Sequence, residues 1–250
     1  MKNLRSLLLA LACFCLGIFA SSAQSGIYES YAILDTGSGN TYFDLQASTG
    51  NIDFDGANLG NFSCDGSLLL NGAQNKIYKC DTDNITNGFL IYRIYLTSDT
   101  PPAFTGSVSL PFLSNDAATG QCTPGETNQT WEEASANINI ISGLALGTYY
   151  LEVFTTADFT YTSGGGGSGT HFAHNATLNY KATFSVVDTT APTPDAASLS
   201  DITAECEVTS LTAPTATDNC GGTVTVSHDA TLPISGEGTT TIVTWTYDDG

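Results

Sequence analysis

Alternating apolar and polar positions dominate the first 187 residues of the chain and predict β-strands. In residues 89–96, Arg93 is the one charged side chain among aromatic and branched ones. In the run GTYYLEVFTT, which starts at residue 147, Tyr149, Leu151 and Val153 fall on one face. Because side chains of a strand point to alternate faces, both runs are typical of half-buried strands in a sheet.

Turn-forming dipeptides such as Asn71-Gly72 separate these runs into short elements. No amphipathic helix is predicted, and residues 130–136 would form at most one or two helical turns. The Gly-rich residues 163–169 predict a hairpin tip or loop, because such a run holds no regular element. The predicted strands of this part are residues 41–46, 67–70, 76–80, 89–96, 107–110, 138–141, 148–155 and 182–187.

The first 23 residues have the layout of an export signal. Lys2 and Arg5 precede an apolar run from Leu7 to Ala20, and the small residues at 21–23 suit cleavage before Gln24. The apolar run is too short for a stable membrane span. We therefore expect an exported chain that begins at Gln24 and does not insert into a membrane.

Composition divides the mature chain near Val187. Residues 24–187 have the size of one β-sandwich domain. Pro192 and Pro194 keep residues 188–194 extended, which predicts an interdomain linker. Residues 195–250 again place Val, Ile and Thr runs between Pro, Gly and Asp turns, but they are fewer than the roughly 100 residues of an immunoglobulin-like domain. The fold class we expect is all-β: a β-sandwich followed by a truncated immunoglobulin-like module.

The charge balance is strongly acidic. The whole chain has a formal net charge of −19, and signal cleavage leaves Lys76, Lys79, Arg93 and Lys181 as its Lys and Arg residues. Such a chain repels phosphate backbones and anionic lipid surfaces, so nucleic-acid binding is excluded from the functions considered. Charged residues make up only 12% of the chain, against about 25% in an average soluble domain.

The cysteines of an exported protein are expected to form disulfides. Cys206 and Cys220 are predicted to pair, because the bond would close a short loop inside one module. Cys64 with Cys80 is the second predicted pair, and it leaves Cys122 odd. Spacing alone leaves Cys80–Cys122 and Cys64–Cys122 open as alternatives.

One short motif points to catalysis. Asp35-Thr36-Gly37 follows an apolar strand and resembles the active-site signature of pepsin-like proteases. That chemistry needs two aspartates that share a proton, and the chain has no second Asp-Thr-Gly or Asp-Ser-Gly. We interpret the motif as a hairpin turn and predict no catalytic residue and no enzymatic activity.

The sequence contains several candidate metal ligands but no complete metal-binding motif. Asn51, Asp53 and Asp55 are spaced like the start of an EF-hand loop, but the position that requires a bidentate Glu is Phe62. Further acidic clusters occur at residues 81–84 and 248–249. Calcium therefore stays a possible cofactor without assigned ligands. His171 and His174 are three residues apart, which places them on opposite faces of an extended chain, so we do not expect shared ligation.

Aromatic side chains are the remaining candidates for ligand contact, because flat rings stack on sugar rings. Most of them are expected to fill the core. Trp131 lies in the polar stretch TNQTWEEAS and is the aromatic residue that we most expect to face solvent and stack on a ligand, with a core or edge position as the equal alternative. The aromatics available in the first domain are Tyr28, Tyr31, Tyr42, Trp131, Tyr149, Tyr150, Phe159 and Tyr161.

The C-terminal part resembles a hyalin-repeat (HYR) module, an immunoglobulin-like module that occurs in tandem in extracellular proteins. The resemblance rests on DTTAP from Asp188, on Cys206, on PTATDNCGG from Pro214, and on TTTIVTWTYDDG from Thr239. It covers about a quarter of the chain, and it departs from the family by ending before the final strand. The family's association with cell adhesion is what the resemblance implies for this protein.

The first domain is similar to N-terminal β-domains of large secreted surface proteins of Bacteroidota. The similarity rests on NLGNFSCDGSLLLNGAQNKIYKC, on residues 92–95 and on SGLALGTYYLEVFTT. It implies a protein that is secreted or held on the outer surface of a bacterium. We expect the N-terminal part of a non-catalytic, multi-module adhesin-like protein with an extracellular glycan or protein ligand. The alternative is an accessory or carbohydrate-binding region of a secreted hydrolase whose catalytic domain lies beyond residue 250.

Overall fold

A computed structural model describes residues 25–80, 82–117 and 127–250 of the chain, so the predicted signal peptide and Cys122 lie outside the described residues. Apart from two short 3-10 turns, Ser163–Gly165 and Asn175–Thr177, the regular secondary structure of the described residues is all β-strand, which confirms the all-β class. The strands of the first part are β1 (Ser25–Asp35), β2 (Asn40–Asp44), β3 (Asn58–Ser63), β4 (Leu69–Lys79), β5 (Asn84–Leu96), β6 (Gly106–Leu110), β7 (Phe112–Ala117), β8 (Thr127–Glu133), β9 (Ile138–Asn139), β10 (Gly147–Tyr161), β11 (Gly167–Ala173) and β12 (Tyr180–Val187).

These twelve strands form the two sheets of a β-sandwich. Sheet I has the order β2-β1-β4-β8-β7, and β9 pairs with β4 at its side. Sheet II has the order β3-β12-β10-β5-β6, and β11 pairs with β10. The registers within sheet I and the β5–β10 and β10–β11 registers of sheet II are antiparallel, as expected for strands joined by hairpins.

The sandwich core follows from the period of two along each strand. In β10, Leu151, Val153, Thr155 and Ala157 are completely buried on one face. In β12, buried and half-buried residues alternate along the whole strand. Burial of these apolar faces is the main favourable contribution to folding. The largest fully buried side chains are Phe54, Phe184, Ile33, Leu34, Leu45, Leu68, Leu70, Ile77, Leu90, Leu110, Ile141 and Leu151.

The predicted strands all coincide with observed ones, but several strands were missed. The strands predicted at residues 67–70 and 76–80 overlap the two ends of the single strand β4 (Leu69–Lys79), whose β-pairing continues through Gly72. Residues 130–136, interpreted as a possible helical turn, lie largely in β8 and pair with β4 and β7. Residues 163–169 supply a 3-10 turn and then the start of β11, which pairs with β10 as a hairpin. The missed strands are β1, β3, β7, β8 and β11.

The chain separates into two compact units. One contains the described residues up to Leu59 together with Leu68–Ile140 and Tyr149–Thr183. The other contains Gly60–Ser67, Ile141–Thr148 and Phe184–Gly250. The linear boundary at residue 187 therefore stays a prediction.

Residues 188–250 form three separate two-stranded antiparallel ribbons. The ribbons pair β13 with β15, β14 with β17 and β16 with β18. None of the residues from 188 to 250 is buried. A two-stranded ribbon is marginally stable by itself, so this segment lacks the core that stabilises the sandwich. The strands are β13 (Thr193–Pro194), β14 (Glu207–Val208), β15 (Ala216–Thr217), β16 (Thr225–His228), β17 (Ile234–Ser235) and β18 (Trp245–Asp248).

The disulfides differ from both predicted pairs. Cys64 is bonded to Cys220 across 156 residues, with a Cα–Cα distance of 5.6 Å. Cys206 is free and exposed, so the predicted Cys206–Cys220 bond is wrong. Cys80 is also disulfide-bonded, but Cys64 is bonded to Cys220, so the predicted Cys64–Cys80 bond is wrong as well.

Local pairing explains why the nearer cysteine is not the partner of Cys220. Cys206 directly precedes β14, whereas Cys220 follows β15, and these two strands belong to different ribbons. Beside the observed bond, the side-chain nitrogen of Asn219 donates a hydrogen bond of 3.1 Å to Asp65. Asn219 and Asp65 are the sequence neighbours of the two bonded cysteines, so their hydrogen bond helps to hold Cys64 and Cys220 close together. Sequence spacing does not reveal this contact.

Candidate functional site

The Asp-Thr-Gly motif forms a hairpin turn, as interpreted from the sequence. Asp35 ends β1, and the next strand begins at Asn40. The Oδ1 atom of Asp35 accepts hydrogen bonds from the backbone N–H of Gly37 at 2.7 Å and of Gly39 at 2.9 Å. These backbone hydrogen bonds lower the pKa of Asp35. The carboxylate therefore closes its own turn and is not arranged as half of a protease dyad.

The EF-hand-like residues also have structural roles. Asp55 accepts a 2.9 Å hydrogen bond from the backbone N–H of Lys181 and one of 3.3 Å from the side chain of Asn175. Asp53 forms an isolated β-bridge with Asp44. These residues border an open depression of about 550 Å³. Since both oxygens of Asp55 already accept hydrogen bonds, the segment is not built as a calcium loop.

One acidic cluster elsewhere brings carboxylates together. Ligand atoms of Asp188, Asp218 and Cys220 lie within 4.8 Å of one another. The sulfur of Cys220 is part of the disulfide with Cys64 and is not available as a thiolate. Two carboxylates are far fewer than the six to eight oxygen ligands of a typical calcium site. Calcium binding therefore stays a prediction without assigned ligands.

The two histidines point to different partners. The ring of His171 stacks on Phe159 with a centroid distance of 4.2 Å, whereas that of His174 stacks on Phe172 at 5.4 Å. Burial lowers the pKa of His171, and the nearby Asp83 carboxylate only partly opposes this effect. The two rings therefore do not form a joint metal site.

A serine, a histidine and an aspartate do meet at the start of β1. Ser25 Oγ donates to Asp83 Oδ2 at 2.7 Å, and it accepts from His171 Nε2 at 2.9 Å because its one proton is already given to Asp83. Ser25 and Asp83 are both buried. In a catalytic triad the histidine lies between the serine and the acid. Here the serine occupies the middle, so the group anchors β1 and is not arranged as a nucleophile with its base.

Trp131 is not the solvent-facing residue that the sequence predicted. It lies in β8 with 8% of its surface exposed. Its ring packs edge-on against Phe112 at 5.7 Å, and its Nε1–H donates to Gln129 at 3.3 Å. The polar stretch around it misled the prediction, because those neighbours belong to a paired strand rather than a loop. Trp131 is therefore not available for ligand stacking.

The outer face of sheet II carries a different set of aromatic residues. The register aligns Tyr150 with Tyr95, Glu152 with Arg93, and Thr156 with Phe172. Because side chains alternate along a strand, the even-numbered residues of β10 share this face, opposite the buried odd-numbered ones. Charged and aromatic groups therefore occupy the side of the sheet that does not line the core.

Four rings on this side touch in sequence, and we call Phe104, Phe154, Phe172 and His174 the aromatic face. The ring centroids of Phe104 and Phe154 are 5.0 Å apart, and those of Phe154 and Phe172 are 6.4 Å apart. Phe172 is 51% exposed, and the other three are half-buried. One exposed ring and three half-buried rings in contact thus form a continuous apolar patch on the outer side of the sheet.

A buried ion pair lies directly beside the aromatic face. Glu152 is 1% exposed and accepts hydrogen bonds from Arg93 at 2.6 Å, from Tyr95 at 2.6 Å and from Asn179 at 2.7 Å. The guanidinium of Arg93 also stacks on Phe104 at 4.2 Å. Both oxygens of the Glu152 carboxylate thus accept hydrogen bonds, which compensates the cost of removing this charge from water.

The pKa shifts follow from these contacts. Burial opposes ionisation of Glu152, but the hydrogen bonds from Arg93, Tyr95 and Asn179 outweigh it and lower its pKa. Burial and the hydrogen bond to the Glu152 carboxylate raise the pKa of Tyr95. Glu152 therefore stays charged and Tyr95 stays protonated near neutral pH, so the hydrogen bond between them and the ion pair of Glu152 with Arg93 persist.

The loop that borders the aromatic face is strained. Asn175, Ala176, Thr177 and Asn179 all have positive φ angles, from 46° to 78°. Such angles are unfavourable for Ala176 and above all for the β-branched Thr177, whereas asparagine adopts them more readily. The side chain of Asn179 ties the loop to Glu152. Strain of this kind clusters at binding sites, where it holds side chains in place.

Only a weak signal in the sequence points to this site. Phe154 lies in the strand predicted at residues 148–155, but Phe172 lies in β11, which was missed, and the face on which each ring lies depends on pairing of β10 with β11 and β5. Phe104 lies in the connection between β5 and β6, so only the fold brings it to Phe154. The alternation of Arg93 and Tyr95 with apolar neighbours was the one local sign that this face is polar and aromatic.

The fold is an all-β sandwich, and the outer side of sheet II carries a row of contacting aromatic rings. Comparison of the chain with protein-family models, curated proteins and solved structures finds no match. Among the described residues, no helix is long and apolar enough to cross a membrane.

Proposed function

We propose that this chain is the N-terminal part of a non-catalytic, multi-module adhesin-like protein that binds an extracellular glycan or protein. The observation that carries the proposal is the aromatic face on the outer side of sheet II. Its rings are contiguous and partly exposed, and a buried ion pair and a strained loop fix them in position. A rigid, preformed surface of this kind favours binding, because little entropy is lost when a ligand is held.

The polar clusters support a binding role over catalysis. Asp35 closes a turn, Asp55 holds a backbone N–H, and Ser25 bridges two buried groups. Each of these three groups makes a structural hydrogen bond. None of the three forms a solvent-accessible pair of a nucleophile and a general base.

The proposed location is the exterior of a bacterium, either secreted or held on the outer cell surface. The export signal predicted at residues 1–23 and the acidic composition support it. The resemblance of residues 195–250 to HYR modules adds an adhesion context. Their lack of buried residues fits a module that needs further strands to complete a core.

A second function rests on the same aromatic face. The chain would then be the accessory or carbohydrate-binding region of a secreted hydrolase. The two functions differ in whether a polysaccharide-cleaving activity belongs to the same polypeptide. Purification of the natural full-length protein from its source, followed by assay of sugar release, separates them.

The adhesion proposal is tested with beads coated with the chain from Gln24 to Gly250. Retention is measured under flow on immobilised polysaccharides, on extracellular-matrix proteins and on bacterial cells. We expect retention on at least one surface, well above that of beads coated with the unfolded, reduced chain. Equal retention of both bead types on every surface would refute the proposal.

A further inference from the structure

We propose that the aromatic face binds an uncharged oligosaccharide. This inference rests on the proposed function and names the ligand class of its site. The faces of sugar rings present C–H groups with partial positive charge, and aromatic rings present negative π faces to them. Phe172 is the most exposed ring of the face and therefore the main stacking platform.

Polar groups at the border of the face suit sugar hydroxyls. On one side, Asp158 accepts a 2.6 Å hydrogen bond from Thr170, and both residues lie on the outer side of the sheet with Phe172. On the other side, Asn175 is exposed at the end of the strained loop. The side-chain nitrogen of Asn175 already donates to Asp55 and to the backbone of Asn179, so the rim offers the carboxylate of Asp158 and the amide oxygen of Asn175 as acceptors for sugar hydroxyls.

Charge selects against anionic ligands. The chain has a formal net charge of −19, which repels sulfated, phosphorylated or uronic-acid polymers. The two cations near the face do not offset this, because Arg93 lies 2.6 Å and Lys181 3.8 Å from Glu152. A neutral ligand avoids the repulsion and leaves the buried ion pair intact.

The size of the face selects against a protein partner. Phe172 exposes about half of its surface and the other rings less, which gives an apolar area on the order of 300 Å² for rings of this size. A stable protein interface needs roughly 800 Å² on each partner. The area matches the contact of a short oligosaccharide, whose rings are small and flat.

The test compares two phenylalanines with similar exposure. Phe172→Ala removes the central ring of the aromatic face, whereas Phe112→Ala removes a 47% exposed ring on β7 of the other sheet. Binding of both variants and the unchanged chain is measured by affinity electrophoresis in gels that contain neutral glucans, mannans, xylans or galactans. Gels with alginate and polygalacturonate serve as anionic probes. Thermal melting and circular dichroism establish that both variants are folded.

We expect retardation of the unchanged chain by at least one neutral polysaccharide and by neither anionic one. Phe172→Ala weakens the binding about tenfold or more, and Phe112→Ala leaves it unchanged. Equal binding of all three proteins, or retardation only by the anionic gels, overturns the inference. If beads adhere but no neutral glycan binds, the ligand class is wrong and adhesion stands. If neither occurs, the proposed function falls as well.

Discussion

The sandwich and residues 188–250 use the same kinds of residue to very different effect. In the sandwich, alternate positions of long strands are buried, and side chains such as Leu151 and Phe184 have no exposed surface. Beyond Asp188 the strands have two to four residues, and Ile242 is 87% exposed. β-propensity therefore forms strands in both regions, but only strands long enough to make two facing sheets create a core.

The two regions are therefore stabilised by different interactions. The sandwich is stabilised by apolar burial and by the buried ion pair between Arg93 and Glu152. Residues 188–250 depend on turn hydrogen bonds, such as that from the backbone N–H of Cys220 to Asp218, and on the Cys64–Cys220 bond. A binding face needs rigid support, which is why we assign it to the sandwich.

The largest effect is expected from removal of the Cys64–Cys220 disulfide. In the chain-entropy model a bond across 156 residues contributes about 5 kcal/mol. We expect Cys220→Ser to make residues 188–250 rapidly cleavable in limited proteolysis, while the sandwich survives as a resistant fragment. Cys206→Ser is the matched control, because Cys206 is free, and it leaves the cleavage rate unchanged. Equal resistance of the two variants would contradict the comparison.

Loss of the buried ion pair is the next effect in size. Glu152→Ala leaves Arg93 without its carboxylate in a largely buried position, which costs about 3–5 kcal/mol. Urea unfolding followed by circular dichroism measures the change. The exposed residue Glu237 serves for comparison, since Glu237→Ala is expected to change stability by less than about 0.5 kcal/mol. A similar small change for both variants would show that the outer face is not held as described.

Truncation of an apolar side chain sharpens the contrast between the regions. Leu151→Ala removes a completely buried side chain and is expected to lower the free energy of unfolding by about 3 kcal/mol. Ile242→Ala removes a side chain of similar size that is 87% exposed, and a change below about 0.5 kcal/mol is expected. Equal losses in denaturant unfolding would mean that residues 188–250 have a core of their own.

The smallest effect is a dependence of stability on pH. Burial lowers the pKa of His171 in the folded state below its ordinary value of 6.5. The unfolded chain therefore binds the proton more readily, so stability is complete above pH 6.5 and decreases as the pH falls below it. Melting temperatures at pH 7.5 and 5.5 measure the decrease, and His171→Gln is expected to reduce it. An unchanged decrease in that variant would assign the effect to other groups.

Much of the sandwich could be predicted from the sequence, because its strands carry their own periodicity. Residues 89–96 and 148–155 alternate clearly and lie in β5 and β10. By contrast, β8 was missed because its buried residues Asn128, Gln129 and Thr130 are polar, and their hydrogen bonds come from neighbouring strands. Polar residues in a core are stabilised by partners that are distant in sequence, and local patterns do not reveal these partners.

The candidate site and the disulfides also depend on partners that are distant in sequence, and the sequence predicted them less well than the strands. The Asp35 turn was interpreted correctly because its hydrogen bonds are local. Trp131 was placed wrongly because its burial depends on Phe112 in a strand that was not predicted. Cys64 and Cys220 pair across 156 residues, and closeness in sequence favoured Cys206 instead. Predictions that rest on local chemistry succeeded, and those that need tertiary pairing did not.

Hydrogen exchange followed by mass spectrometry on the chain from Gln24 to Gly250 tests the central claim most directly. The account predicts slow exchange in β1, β4, β5, β10 and β12, governed by global unfolding. It predicts exchange about 1,000-fold faster throughout residues 188–250, where no buried core opposes local opening. Similar protection in the two regions would contradict the claim that only the sandwich has a core able to support a binding face.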